Sequence, residues 1–143
     1  MVKRLKSLPF GVTTMLPGAN PLPIGPYTSG KIIKTNEGIW GYTAGQIARS
    51  PETGDLVGVD KPCFQAQQAL TNLRNLAEAN GFDLSKHTIK TTVFLTKMSD
   101  FAECNQVYAK FFSEEALPAR SCVAVRELPM GASFEVEAVL FKL

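Results

Sequence analysis

Arg120 stands two residues before Cys122 at the head of an apolar run, and Glu135 and Glu137 alternate with apolar residues near the end of the chain. A guanidinium presents a planar fork that grips a carboxylate through two hydrogen bonds. Arg120 therefore suits either a salt bridge to a glutamate or an acidic ligand, and on charge alone the salt bridge is the simpler reading. In residues 133–143 the strand period puts Phe134, Val136, Ala138 and Leu140 on one face, with Glu135, Glu137, Val139, Phe141 and Leu143 on the other. A carboxylate among apolar neighbours is desolvated, which raises its pKa and makes it a usable proton acceptor or donor. The opposing reading leaves both glutamates as solvated edge charges, Glu137 as a purely structural one.

Residues 121–125 and 133–143 read as strands joined around Leu128-Pro129-Met130-Gly131. Pairing them antiparallel across that turn brings Arg120 toward Glu135. Cys122 shares a face with Arg120, and with no base to lower its pKa it reads as a small buried hydrophobe rather than a nucleophile. Gly45-Gln46, just after a strand, marks a bend whose N–H groups are available to an anion.

Other chemistries find no residues. His87 is the only histidine and sits in Ser-Lys-His-Thr, which reads as a solvated strand entry, so a Ser-His-Asp or Cys-His nucleophile has no base. No Cys or His pair has metal-ligand spacing, and a protein without metal or cofactor is expected. Cys63, Cys104 and Cys122 are odd in number and fall in helix, helix and strand, as reduced thiols would in a reducing compartment. A net charge of +2 is too small for the field that nucleic-acid binding uses, and the apolar runs are too short to span a bilayer.

The elements that position these residues are legible in the punctuation. At 143 residues the chain makes one domain. Pro21, Pro23 and Pro26 hold residues 20–27 extended, and residues 29–35 and 39–44 form a hairpin about Asn36-Glu37-Gly38. After a loop at residues 50–54, Asp60 ahead of Pro62 starts a helix that Asn80-Gly81 stops. Ala66, Ala69, Leu70, Leu73, Leu76 and Ala77 share one face of it, with Asn72 among the polar residues opposite. Residues 88–95 form a strand. Asp100 and Glu103 have capping-box spacing for a second helix reaching about Phe112, with Phe101, Cys104, Tyr108 and Phe111 on one side. The order ββαβαββ predicts an α/β (α+β) domain, a single mixed sheet with both helices on one face. The uncovered face predicts a homo-oligomer. Residues 1–19 read as an arm before the domain at residues 20–143. No acid precedes Glu37, and Lys3, Arg4 and Lys6 have the flavour of an organelle presequence, which Pro9 and Pro17 oppose.

Several stretches together resemble the RidA (YjgF) family of reactive-intermediate deaminases. They are Ile24-Gly25-Pro26-Tyr27, Ala44-Gly45-Gln46-Ile47, Thr91-Thr92-Val93-Phe94-Leu95 followed by Asp100-Phe101, Asn105 with Tyr108 and Phe111-Phe112, Pro118-Ala119-Arg120-Ser121-Cys122-Val123, and Glu135-Val136-Glu137-Ala138. They run in the family's order from about residue 22 to the C-terminus. The resemblance implies a chorismate-mutase-like fold, a homotrimer whose sheets form a central barrel, and ligand clefts between subunits. It implies hydrolysis of 2-imino acids such as 2-iminobutanoate and 2-iminopropanoate to 2-oxo acids and ammonia. By position, Arg120 would bind the substrate carboxylate and Glu135 would orient or activate water. Tyr27, Gly45, Asn105 and Cys122 would line the cleft, Gly45 and Cys122 through backbone groups. Ala44 departs from the serine many members carry. The family implies no cofactor and a cytoplasmic location, or a mitochondrial one if the arm is a presequence. Two other readings stay open: a regulatory trimer that binds 2-oxo acids without turnover, and the RNA cleavage or translation inhibition of some members, which the near-neutral charge opposes.

Overall fold

The computed structural model describes residues 11–143; the basic residues Lys3, Arg4 and Lys6 lie outside them. Strand β1 (Val12–Thr14) pairs antiparallel with β2 (Gly30–Lys34), and β2 with β3 (Ile39–Thr43). The expected hairpin is present, and β1 is a strand that its short, polar run did not announce. Thr35 closes the turn: its N–H donates to Gly38 O at 2.9 Å and its hydroxyl accepts from the Gly38 N–H at 3.2 Å. A side chain at position 38 would set a Cβ 2.8 Å from Lys142 O, so the turn needs glycine.

Helix α1 (Pro62–Ala79) follows, then a single turn α2 (Leu84–His87), β4 (Thr88–Leu95), α3 (Phe101–Ala109), β5 (Ala119–Ala124) and β6 (Phe134–Lys142). Among the described residues they build one six-stranded mixed sheet, order β1-β2-β3-β6-β4-β5, in which only β4 and β5 run parallel.

The predicted start signals do not cap. The residue before α1 is Lys61, with no side-chain cap, and Asp60 sits in a left-handed turn at φ 60°. Asp100 is already helical and makes no capping bond, because a 3-10 turn over Met98–Asp100 runs straight into α3. His87 is not a solvated loop residue. It ends α2 half-buried, and its Nδ1 accepts from the Asp83 N–H at 2.8 Å.

The core lies between the helices and one sheet face. All six apolar α1 residues named above are fully buried, against Phe134, Val136, Ala138 and Leu140 of β6 and Val93 and Leu95 of β4. Asn72 and Gln65 are buried on the same helix because backbone groups need them. Gln65 accepts from Ser133 N–H at 2.7 Å, and Asn72 donates to Arg49 O at 2.9 Å. Leu73→Ala is expected to cost about 2–5 kcal/mol, read as a lower urea midpoint with unchanged slope.

Strand order corrects one expectation. β5 and β6 are not paired: β5 lies parallel on the outer side of β4, and β6 fills the gap between β3 and β4. The α3 crossover lays β5 down parallel beside β4, which leaves the other edge of β4 for β6. Arg120 stands opposite Thr91, whose side chain is buried under the helices, whereas Glu135 stands opposite Phe94 on the other face. Arg120 and Glu135 of one chain therefore occupy opposite faces of the sheet.

Candidate active site

A cleft of about 350 Å³ lies beside Glu135, walled by the proline-rich leader on one side and the segment after β3 on the other, with Asn72 of α1 also reaching it. Tyr27, Ala44, Gly45 and Glu135 all line it. The segment is drawn in by a bridge of two hydrogen bonds, Gln46 N–H to Val136 O at 2.7 Å and Val136 N–H to Gln46 O at 3.0 Å. This lays the Gly45 backbone across the Glu135 side chain. A Cβ on residue 45 would fall 2.8 Å from Glu135 Cδ and would strike the carboxylate, so glycine is what lets the glutamate lie there. Ala44 N–H is spent on Ser29 O at 2.8 Å, while no backbone acceptor among the described residues takes the Gly45 N–H. The bend expected at Gly45-Gln46 is thus a site of close approach.

Burial raises the Glu135 pKa, and the like charge of Glu137, two residues along on the same face, raises it further. Among the described residues the only ion pair is Arg126–Glu127, so no cation offsets this carboxylate. Gly45→Ala is expected to push the Glu135 carboxylate off its seat and lower turnover about tenfold or more while leaving the fold intact. Activity and circular dichroism on the same preparation would check it.

Arg120 is held elsewhere, on the helix side at the outer strand β5. Its Nη1 donates to Asn105 Oδ1 at 2.8 Å, and its guanidinium carbon lies 4.7 Å from the Tyr108 ring centre and 5.4 Å from that of Phe101. Tyr108 is fixed in turn by a 2.6 Å hydrogen bond with Thr91. The salt bridge to a glutamate is absent from the described residues; an amide and two rings orient the cation without neutralising it. Cys122 follows on the same face, its thiol pushed up by burial and drawn down by Arg120 to a lesser extent.

The six residues singled out in sequence thus fall into two groups. Tyr27, Gly45 and Glu135 share the cleft; Arg120, Asn105 and Cys122 cluster at β5, outside the residues that line it. Sequence reasoning put Phe101 and Tyr108 on the right helix face but did not see them as the seat of Arg120. It passed over Asn20 and Arg49, which also line the cleft. Only an arginine in a turn-rich loop and an asparagine before a proline run were there to signal them.

The family model described as Endoribonuclease L-PSP matches residues 18–141. A RutC family protein of Sinorhizobium fredii is 44% identical over 128 residues, covering 90% of this chain and 93% of that one. The 2-iminobutanoate/2-iminopropanoate deaminase of Escherichia coli is 40% identical over 121 residues, covering 83% and 89%. The crystal structure of E. coli TdcF with bound serine superposes with a TM-score of 0.79 at 34% identity, covering 92% of this chain and 99% of that one. The chain belongs to the L-PSP family, also called the YjgF/RidA/RutC family.

Proposed function

We propose that the protein hydrolyses 2-imino acids, 2-iminobutanoate and 2-iminopropanoate among them, to 2-oxo acids and ammonia. The observation that carries this reading is the Glu135 carboxylate: half-buried, raised in pKa, unpaired, and laid against Gly45 in an open cleft. Such a group can take a proton from water and return it. The name of the E. coli deaminase and the serine bound to TdcF, an amino acid with the same carboxylate head, point the same way.

An imine carbon is already electrophilic, so the reaction needs a held carboxylate, a placed water and a proton route. Arg120, oriented by Asn105 and Tyr108, binds the substrate carboxylate. Starting from the protonated imine, Glu135 accepts a proton as water adds to C2, giving a neutral 2-amino-2-hydroxy acid. It then returns that proton to the nitrogen and, as the C–N bond breaks, takes the proton of the hydroxyl group, so that C2–O becomes the ketone of the 2-oxo acid and ammonia leaves. Tyr27 walls the pocket, the Gly45 N–H is free to donate to the ligand, and Cys122 contributes its backbone beside Arg120. No metal or cofactor takes part.

Because Arg120 and Glu135 face opposite sides of one sheet, the complete site joins the Glu135 cleft of one copy to the Arg120 cluster of another. This supports a homotrimer with its uncovered sheet faces in a central barrel of chorismate-mutase type and with clefts between subunits. We assign residues 20–143 to this catalytic unit, to whose sheet the arm at residues 1–19 adds β1, and place it in the cytoplasm, with mitochondria as the alternative if the arm acts as a presequence.

The test is a competition. Threonine with a PLP-dependent threonine dehydratase releases 2-iminobutanoate, and semicarbazide traps free imine. The protein is expected to accelerate 2-oxobutanoate formation over the trap. Binding of 2-oxobutanoate with no acceleration would replace this reading with that of a 2-oxo-acid-binding regulatory trimer.

A further inference from the structure

Thr91 and Arg120 stand directly opposite each other on the neighbouring strands β4 and β5. An apolar side chain is the ordinary occupant of a fully buried strand position, yet residue 91 carries a hydroxyl. Its one side-chain partner among the described residues is the Tyr108 hydroxyl of α3, at 2.6 Å, and Tyr108 has no other. The Tyr108 ring lies 4.7 Å from the Arg120 guanidinium carbon and 4.6 Å, centre to centre, from the Phe112 ring. Arg120 itself makes a single hydrogen bond among the described residues, from Nη1 to Asn105. One bond leaves a planar fork free to swing about it, so the rings of Tyr108 and Phe101 decide where its remaining N–H groups point. Of those two rings only Tyr108 has a hydroxyl, and Thr91 holds it.

Resting on the reading of Arg120 as the anchor of the substrate carboxylate, we propose that Thr91 is a positioning residue for 2-imino acid binding. Its hydroxyl fixes the pitch of the Tyr108 ring, and the ring fixes the orientation in which the Arg120 fork meets the carboxylate. Thr91 is fully buried and touches no ligand itself. A buried phenol deprived of its only partner turns toward water, which carries the ring off the guanidinium. The fork then samples several orientations, whereas a grip on both oxygens of a carboxylate needs one. Glu135 is out of reach of this chain of contacts, since it stands opposite Phe94 on the other face of the sheet. Loss of the Thr91 hydroxyl is therefore felt in binding and spares the proton transfer.

Thr91→Val keeps the shape of the side chain and deletes the hydroxyl. With 2-iminobutanoate competed against semicarbazide, it is expected to raise KM about 3- to 10-fold at nearly unchanged kcat. Thr91→Ser, which returns the hydroxyl without the methyl group, should bring KM back to within about twofold of the parent. Placed in an Arg120→Ala background, Thr91→Val should add no further loss, because no fork is left to orient. A purely structural role would instead lower the urea midpoint and cost activity equally in both backgrounds. If Thr91→Val folds poorly by circular dichroism, Tyr108→Phe deletes the same bond from its other end and carries the same expectation. An unchanged KM in the folded variant would overturn the proposal, as would a loss confined to kcat or an equal loss in both backgrounds. In each of those cases turnover of 2-iminobutanoate by the unaltered protein leaves the deaminase reading standing. Absence of that turnover would overturn both.

Discussion

Arg120→Ala is expected to lower kcat/KM for 2-iminobutanoate about 10²- to 10³-fold, equivalent to about 3–4 kcal/mol of transition-state binding. The loss should appear chiefly in KM, because the guanidinium holds the carboxylate before, during and after water adds. The variant should remain folded: no carboxylate among the described residues depends on Arg120, and the Tyr108–Thr91 hydrogen bond survives its removal. Arg120→Lys keeps the charge but loses the planar fork that Asn105 and the two rings orient, so partial recovery is expected rather than full. Steady-state kinetics with semicarbazide competition measures all three. An Arg120→Ala enzyme with normal KM would assign the arginine a structural role and strike the composite site.

Glu135→Gln should act on the other constant, lowering kcat about 10²- to 10⁴-fold with little change in ligand binding. Its pH dependence follows from the direction of the shift. The working form at the start of the cycle is the carboxylate, so activity in the intact protein should fall as pH drops through the raised Glu135 pKa. That limb should lie at higher pH than an ordinary glutamate would give. Removing the neighbouring charge by Glu137→Gln should move the limb back toward lower pH. Stability runs the opposite way. A carboxyl whose folded pKa is raised favours the folded state fully below its unfolded pKa, and that contribution is lost as pH rises through the folded value. At neutral pH the buried charge is therefore a burden, and Glu135→Gln should be at least as stable as the parent while far less active. Thermal melts at pH 4 and pH 8 beside kinetics would show it. A variant both inactive and unstable at pH 8 would count against the proton-transfer role.

The apolar face pattern was legible in the sequence. Period-two alternation placed Phe134, Val136, Ala138 and Leu140 in the core and turned Glu135 and Glu137 away from it, and helical spacing picked out the buried face of α1. These are local consequences of backbone geometry, since a residue's face is decided by its immediate neighbours. Buried polar residues were not legible in the same way. Asn72 and Gln65 are inside because loop carbonyls and an N–H distant in sequence require partners, and that demand exists only once the loops are folded.

The cation at the head of a strand, the glycine after another and the alternating glutamates were all determined by the sequence alone, as were the face Arg120 shares with Cys122 and the face Glu135 shares with Glu137. Which strands lie together was not. Pairing β5 with β6 is the natural reading of a short connection, yet the α3 crossover sets β5 parallel to β4 and leaves the inner edge to β6. That choice depends on competition for strand edges across the whole sheet, which no window of residues contains. It puts Arg120 and Glu135 on opposite faces, and so only the tertiary structure separates what reads as an ion pair within one chain onto the two sides of the sheet.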